Sequence, residues 1–343
     1  MSGLPEHLQA LYNAVFYVAF NFTKAVTAFL QRDSYLYWPF LLSTLAIMVF
    51  AALRAARAGG DPASRSWLRQ WREYFSAGLW WHPSARADYR LYFVNALVLP
   101  GLFAWLLFSD AQFGAMIDGA LGRQTAAAGQ GAAAGIAERV LFTLVFFVAY
   151  DFGRFAAHSL LHDVPALWEF HKVHHSAEVL TLITAYRAHP GELLVMAWVP
   201  ALTTGLATWV FNLFTQSPVG FYSFLGLHVF LWAVNLIDNL RHSNVWVTYG
   251  ASLGRWIVSP AHHQLHHSRE PADVGCNRGF SLAVWDRMYG TLRVPAERAE
   301  VFRLGLGDGT DGQWHSVRRM YFWPLAGFAR RLAGLFRRRE TSR

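Results

Sequence analysis

Long apolar runs are the feature that most restricts how this chain folds. A helix needs about 20 mainly apolar residues to cross the hydrocarbon core of a bilayer. Five runs of suitable length lie at residues 36–56, 91–109, 136–157, 192–211 and 219–240. The sequence therefore predicts an all-α integral membrane protein with at least five transmembrane helices.

A sixth apolar segment, residues 11–30, contains Asn21, Thr23 and Lys24. It either crosses the membrane or lies in the interface, so we predict five to six transmembrane helices. Composition supports this class, because only 15% of the residues are charged, against about 25% in a typical soluble domain. Aromatic residues make up 16% of the chain, which suits the aromatic belts at the two membrane surfaces.

The arginines predict the orientation of the chain. Segment 54–90 holds seven arginines and residues 241–343 hold sixteen, whereas loop 110–135 holds only Arg123. Basic residues are retained on the cytoplasmic side, so we expect residues 158–191 and the C-terminus on that side, in a bacterial inner membrane. Because the arginines lie between and after apolar runs, the net charge of +8 favours an anionic lipid surface over a nucleic acid partner.

Two segments mix aromatic side chains with arginines, namely residues 64–81 and residues 318–339. This mixture is typical of amphipathic helices that lie on an anionic membrane surface. For the second segment, a basic flank without lipid specificity explains the pattern equally well.

Histidines are concentrated in two short windows. Nine of the fifteen fall within residues 158–175 and 262–267. The first window holds an HxxxH pair and an HxxHH triplet, and the second holds another HxxHH triplet. Residues three and four apart share one helix face, so each motif can present its imidazoles together. These eight histidines are His158, His162, His171, His174, His175, His263, His266 and His267.

Eight imidazoles are too many ligands for one metal ion, so the pattern favours two metals. A structural zinc usually has thiolate ligands, and this chain has one cysteine, Cys276. All-nitrogen ligation with open positions suits iron, but imidazole alone excludes neither zinc nor copper. His262 does not fit the HxxHH spacing and is expected to face elsewhere.

Four polar residues outside the windows are further candidates. His242 ends the fifth apolar run, and Asp238 lies four residues before it, so both could be ligands or could orient a ligand. Asp151 lies two turns before His158 and is expected to orient a metal-bound imidazole, with a local pair to Arg154 as the alternative. His189 is expected either to support the site or to contact substrate.

Taken together, these residues resemble the fatty acid hydroxylase/sterol desaturase superfamily over roughly residues 140–295. The resemblance includes the HxxxH motif, both HxxHH motifs, the Arg187–Pro190 and Arg241–Asn244 segments, and the block from Asn277 to Thr291. It implies nine metal ligands, namely His158, His162, His171, His174, His175, His242, His263, His266 and His267. Some relatives carry a histidine or an amide at the place of Asp238, which leaves the role of Asp238 open.

The resemblance also implies a function, a cofactor and partners. Such proteins use two iron ions and O2 to oxidise a C–H bond of a lipid, with electrons from a separate ferredoxin-type or cytochrome-type donor. It divides the chain into an N-terminal membrane region (1–135), a catalytic domain (136–295) and a basic tail (296–343). Hydroxylation, desaturation and ether-lipid cleavage share this chemistry. A zinc-dependent hydrolase or a metal transporter would be a different class.

Overall fold

The computed structural model describes residues 6–57, 69–121, 135–215 and 219–340, and these residues are mostly helical. The longer helices are α1 (Glu6–Val26), α2 (Trp38–Arg57), α3 (Pro83–Phe103), α4 (Asp110–Leu121), α5 (Ile136–Asp163), α6 (Pro165–His175), α7 (Pro190–Asn212), α8 (Val229–Asp238), α9 (Pro260–His266) and α10 (Val317–Glu340). The all-α prediction is confirmed for the described residues apart from one short hairpin.

The remaining elements are short. Helical turns cover Ala77–Trp80, Gly250–Leu253 and Val284–Tyr289, and 3-10 turns cover Ala28–Leu30, Leu182–Tyr186, Asn239–His242 and Asp311–His315. Strands β1 (Ser223–Phe224) and β2 (Leu227–His228) pair antiparallel, with Ser223 opposite His228 and Phe224 opposite Leu227. Residues 69–74 are also helical.

Of the described helices, α5 and α7 are long and apolar enough to cross a membrane. They pack along each other, and Gly153 permits the close approach. A Cβ atom added there would lie 2.7 Å from the Cα atom of Pro200 in α7. Their outer faces expose large apolar side chains, including Leu141 and Leu206. Small residues between helices and apolar residues outside are the pattern expected for membrane-embedded helices.

The prediction of a continuous span over residues 219–240 was wrong. Residues 223–228 form the hairpin, and Leu225 and Gly226 both adopt positive φ angles, of 52° and 81°. The helix that follows, α8, has only 10 residues, so it is about 15 Å long and too short to cross a bilayer core of about 30 Å.

The other predicted spans lie in helices, but these helices do not combine the length and the apolar composition that α5 and α7 have. Run 36–56 corresponds to α2, run 91–109 to the end of α3, and segment 11–30 to α1 and the turn after it. The predicted orientation and the predicted surface helix at 64–81 depend partly on residues 58–68 and 122–134, which lie outside the described residues. Orientation, surface helices and the total of five to six spans therefore stay predictions.

Candidate metal centre

Five histidines form cluster A, which lies where α5, α6 and α9 meet. One nitrogen from each of these imidazoles lies within 4.8 Å of the others in the cluster. His158 and His162 come from the last two turns of α5, and His171 and His175 from the last two turns of α6. His266, from α9, completes the cluster. Two consecutive helices, α5 and α6, and the distant helix α9 therefore direct their imidazoles at one point.

Four histidines form cluster B, with the same spread of 4.8 Å between their nitrogens. His174 comes from α6, His242 from the 3-10 turn after α8, and His263 from α9, while His267 is the C-cap residue of α9. Clusters A and B together hold all nine predicted ligands, so the structure brings together every histidine of that set.

Each HxxHH motif divides its imidazoles between the two clusters. The outer pair of each motif, His171 with His175 and His263 with His267, enters one cluster, and the middle histidine enters the other. Helix geometry explains the division. A helix has 3.6 residues per turn. Measured around the helix axis from the first histidine of the motif, the last histidine, four residues on, lies about 40° to one side. The middle histidine, three residues on, lies about 60° to the other side.

The two clusters are neighbours. The ring centroids of His175 in cluster A and His267 in cluster B are 4.8 Å apart, and those of His263 and His266 are 5.4 Å apart. This proximity suits a pair of metal ions that act on one substrate atom.

Backbone carbonyl groups orient three of the imidazoles. The Nδ1 atom of His158 lies 2.9 Å from the carbonyl oxygen of Arg278, and that of His266 lies 2.6 Å from the carbonyl oxygen of Cys276. His174 has the same contact with Arg187 at 3.2 Å. A carbonyl oxygen only accepts, so Nδ1 carries the hydrogen and donates it. The Nε2 lone pair of each ring is therefore left free toward the clusters.

Glu192 orients a fourth imidazole. Its Oε1 atom lies 2.9 Å from Nδ1 of His171, and both side chains are buried. A carboxylate on the far nitrogen of a metal-bound histidine fixes the ring and increases its basicity. Glu192 lies in the first turn of α7, with His189 as the N-cap residue of that helix.

The arrangement of the Nε2 atoms fits bound metal. The Nε2 atoms of His158 and His171 are 3.0 Å apart. With both Nδ1 atoms protonated, two lone pairs face each other there, and such a contact is repulsive without a shared cation. Burial also lowers the pKa of His171 to about 3 and that of His174 to about 4. Neutral imidazole is the form that binds metal.

A buried ion pair holds the end of α6, where three of the histidines lie. Arg187 and Asp88 are fully buried, with Nη1 of the arginine 2.6 Å from the carboxylate. The same guanidinium donates to the carbonyl oxygens of Val173 and Trp314 and to the hydroxyl of Ser176. Arg187 therefore connects α3, α6 and the segment before α10, which fixes the helix that carries His174 and His175.

Asp151 supports the site indirectly, and the predicted contact with an imidazole was wrong. Its carboxylate accepts hydrogen bonds from the backbone N–H groups of Ser281 and Leu282 and from Nε1 of Trp285. These bonds attach segment 277–285 to α5. The carbonyl of Arg278, which orients His158, belongs to that segment.

His189 and Asp238 lie outside both clusters. Nδ1 of His189 accepts from the N–H of Gly191, and Nε2 donates to the carbonyl oxygen of Tyr321, so this histidine caps α7 rather than orienting a ligand. Asp238 forms an ion pair of 2.5 Å with Arg241. Neither side chain therefore contacts an imidazole of the clusters, as a supporting role would require, and the alternative that His189 contacts substrate stays a prediction.

His262 also lies outside the clusters, as its spacing predicts. Its Nδ1 atom is 3.1 Å from the N–H of Ser259, and the two residues form a capping box at the start of α9. His262 therefore starts the helix that carries three candidate ligands, without facing them.

A cavity of about 460 Å³ opens beside the two clusters. Five histidines of the clusters line it, together with apolar side chains of α3 and α7 that include Leu99, Leu193 and Met196. Asp238, Arg241 and Glu192 also line the cavity. The volume lies within the usual range for sites that bind small molecules.

Sequence reasoning missed Glu192 and the carbonyl groups of Arg278 and Cys276. Glu192 follows His189-Pro190 in the first turn of an apolar run, and an acidic residue there was a usable signal. The carbonyl groups left no signal, because any residue supplies one.

Comparison with known proteins shows a match to one family over part of the chain. Residues 143–291 match the model of the fatty acid hydroxylase family. The alkylglycerol monooxygenase of Danio rerio is 28% identical over 203 residues, which is 56% of this chain and 40% of that protein. The ornithine lipid hydroxylase OlsE of Rhizobium tropici is 31% identical over 154 residues, 43% of this chain and 40% of that protein.

Cholesterol 25-hydroxylase of Mus musculus is 30% identical over 152 residues, 44% of this chain and 46% of that protein. Each match thus spans less than half the length of the relative. No solved structure matches this chain. The matched region contains all nine histidines of clusters A and B and the segment that Asp151 attaches. Residues 143–291 thus match the fatty acid hydroxylase family, and the three relatives support a place for this region in the fatty acid hydroxylase/sterol desaturase superfamily.

Proposed function

We propose that this protein is a membrane-bound enzyme that oxidises a C–H bond of a lipid with O2, most simply by hydroxylation. The observation that carries the proposal is the pair of neighbouring all-histidine clusters at the side of a partly apolar cavity. The proposed domain division, with catalysis in residues 136–295 between the membrane region 1–135 and the basic tail 296–343, follows from the position of the clusters.

Cluster A and cluster B would each hold one iron ion. Bound iron supplies the activation of O2, which is the chemistry that an unactivated C–H bond requires. The chain contributes the neutral imidazoles, the acceptors that hold their Nδ1–H groups, and a cavity whose apolar wall accepts a hydrocarbon chain. Imidazole ligands alone also accept zinc, which would correspond to a hydrolase, so metal identity discriminates between the two classes.

The proposed partners are a membrane lipid and a separate electron donor of ferredoxin or cytochrome type. The apolar helices α5 and α7 border the clusters, so a lipid would reach the cavity from the bilayer. We propose that the clusters and the C-terminus lie on the cytoplasmic side of a bacterial inner membrane, where such donors are available.

Cleavage of an alkylglycerol is the second candidate function. Two relatives that match over 203 and 202 residues are named alkylglycerol monooxygenases. Oxidation of the carbon beside an ether oxygen would use the same site. Desaturation would differ from hydroxylation only in the fate of the oxidised carbon.

The test is incorporation of 18O2 into lipids of membranes that contain the protein. We expect a labelled lipid product from the wild-type chain and none from His266→Gln, because His266 belongs to cluster A. His262→Gln is the matched control: it lies in the same helix, and glutamine preserves a side-chain cap. Equal labelling by the two variants would contradict the proposed site, and no labelled product from metal-loaded wild-type protein would contradict the proposed reaction.

A further inference from the structure

Arg154 is a charged residue in α5 that neither cluster uses. It lies four residues before His158 and lines the same cavity. Residues at this spacing share a helix face, with Cβ atoms about 5–6 Å apart. A group bound to Arg154 would therefore lie about one helical turn from cluster A.

The guanidinium of Arg154 has no close partner among the described residues, although Asp238 and Asp151 act on its charge from beyond ion-pair distance. Among the described residues, no carboxylate forms an ion pair with it, and its buried Nε has no hydrogen-bond partner. It lies over the ring of Phe280, 4.7 Å from the centroid. A cation within an apolar helix whose buried donor has no hydrogen-bond partner is costly and usually marks a functional site.

The other charged residues of the cavity are engaged. Arg241 pairs with Asp238, and Arg278 pairs with Asp163. Glu192 accepts from His171. Among the described residues that line the cavity, Arg154 is therefore the arginine whose guanidinium forms no direct ion pair and remains able to bind a ligand.

Tyr35 provides a second unpartnered group in the cavity. Its hydroxyl has no hydrogen bond to the described residues, whereas the hydroxyls of Tyr92 and Tyr186, which also line the cavity, contact the carbonyl oxygen of Ala25 and the hydroxyl of Ser34. A guanidinium and a phenol hydroxyl both donate hydrogen bonds, and a guanidinium matches the two oxygens of a carboxylate or phosphate.

We propose that Arg154, together with Tyr35, binds the anionic oxygen group at the polar end of a single-chain lipid. The group is a carboxylate or a phosphate, and the apolar wall at Leu99, Leu193 and Met196 takes the chain. This anion site adds a substrate class to the proposed function. Only the position at which the lipid is oxidised rests on the proposed function. If the site oxidises the lipid, the short distance from Arg154 to cluster A places oxidation within the first few carbon atoms from the polar end.

The test is a binding measurement in neutral detergent, at a pH where carboxylates are ionised. The probes are a long-chain fatty acid, its methyl ester and an alkyl phosphate with the same chain. We expect wild-type protein to bind at least one anionic probe about 10–100-fold more tightly than the ester, which is the size of a charged hydrogen bond. Preference for the acid or for the phosphate identifies the source of the anionic group.

Arg154→Gln should lose this selectivity for anions while binding the ester unchanged. The matched control is Arg139→Gln, because Arg139 lies in the same helix and over an aromatic ring, that of Tyr222 at 4.4 Å, but does not line the cavity. Selectivity that survives in Arg154→Gln would overturn the assignment to Arg154. Equal affinity of wild-type protein for the ester and both anions would overturn the proposal even if the variant failed to fold.

Binding requires neither O2 nor electrons, so the two proposals fail separately. Protein that selects anions but yields no oxidised lipid would retain the anion site and contradict the oxygenase. Protein that oxidises lipids without anion selectivity would retain the oxygenase and contradict the anion site.

Discussion

Replacement of Glu192 tests whether the buried carboxylate tunes the metal centre. Glu192 contacts His171 at 2.9 Å, and the exposed fractions of the two side chains are 7% and 3%. No other described side chain is within hydrogen-bond distance of Nδ1 of His171 to replace the carboxylate. In Glu192→Ala, Nδ1–H of His171 loses its acceptor, and the imidazole loses both its fixed orientation and the basicity that the negative charge gives it.

The magnitude follows from the type of contact. Loss of a partner that orients a metal-bound histidine costs about 10–100-fold in metal affinity, or about 1.4–2.7 kcal/mol. Glu192→Ala should approach the upper end of this range. Glu192→Gln should stay near the lower end, because the amide oxygen still accepts from His171 while the charge is gone.

The assay is competition with a chelator, measured as the iron that the purified chain retains at increasing chelator concentration. Glu169→Gln is the control. Glu169 lies in α6 two residues before His171, but its carboxylate contacts Lys172 at 3.0 Å and Arg331 at 3.2 Å. Iron retention in Glu169→Gln should match the wild type. Wild-type retention by Glu192→Ala, or an equal loss in Glu169→Gln, would refute the role assigned to Glu192.

Two further predictions concern stability and orientation. Burial lowers the pKa of His189 to about 4, below the value of about 6.5 in an unfolded chain. The contribution of neutral His189 to the free energy of unfolding is therefore full above about pH 6.5 and is lost as the pH falls toward 4. His189→Asn caps α7 without titrating, and its thermal midpoint should fall less between pH 7 and pH 5 than that of the wild type; equal falls would contradict this. In a Cys276→Ser background, a thiol at residue 127 should react with an impermeant reagent outside the cell and a thiol at Val301 should not. The reverse labelling would overturn the predicted orientation.

The sequence was enough to predict which histidines form the candidate metal centre, because their spacing is a local property of the chain. HxxxH and HxxHH motifs fix which imidazoles share a helix face, and nine residues chosen on that basis and on resemblance lie in clusters A and B. The division of each triplet between the clusters required the helix axes. That information depends on how α6 and α9 cross, which no short motif encodes.

Two errors came from contacts between distant segments, and a third came from a local turn. Asp151 was compared with its neighbours on α5, whereas its hydrogen-bond partners lie 130 residues away or more. Hydropathy joined residues 219–240 into one span because Leu225-Gly226 lacks the Asn-Gly or Asp-Gly signal of a tight hairpin. His189 was assigned to the site from its motif, but its partner is the carbonyl oxygen of Tyr321, 132 residues later.

Metal analysis of anaerobically purified protein tests the central claim most directly. Clusters A and B predict about two iron ions for each chain. The variant His174→Gln removes one ligand of cluster B and leaves all five of cluster A. It should therefore lower the iron content more than His262→Gln does. About two iron ions in the wild type, with this difference between the variants, is the expected result. One zinc ion and no iron for each chain would contradict the di-iron centre and the oxygen chemistry that depends on it.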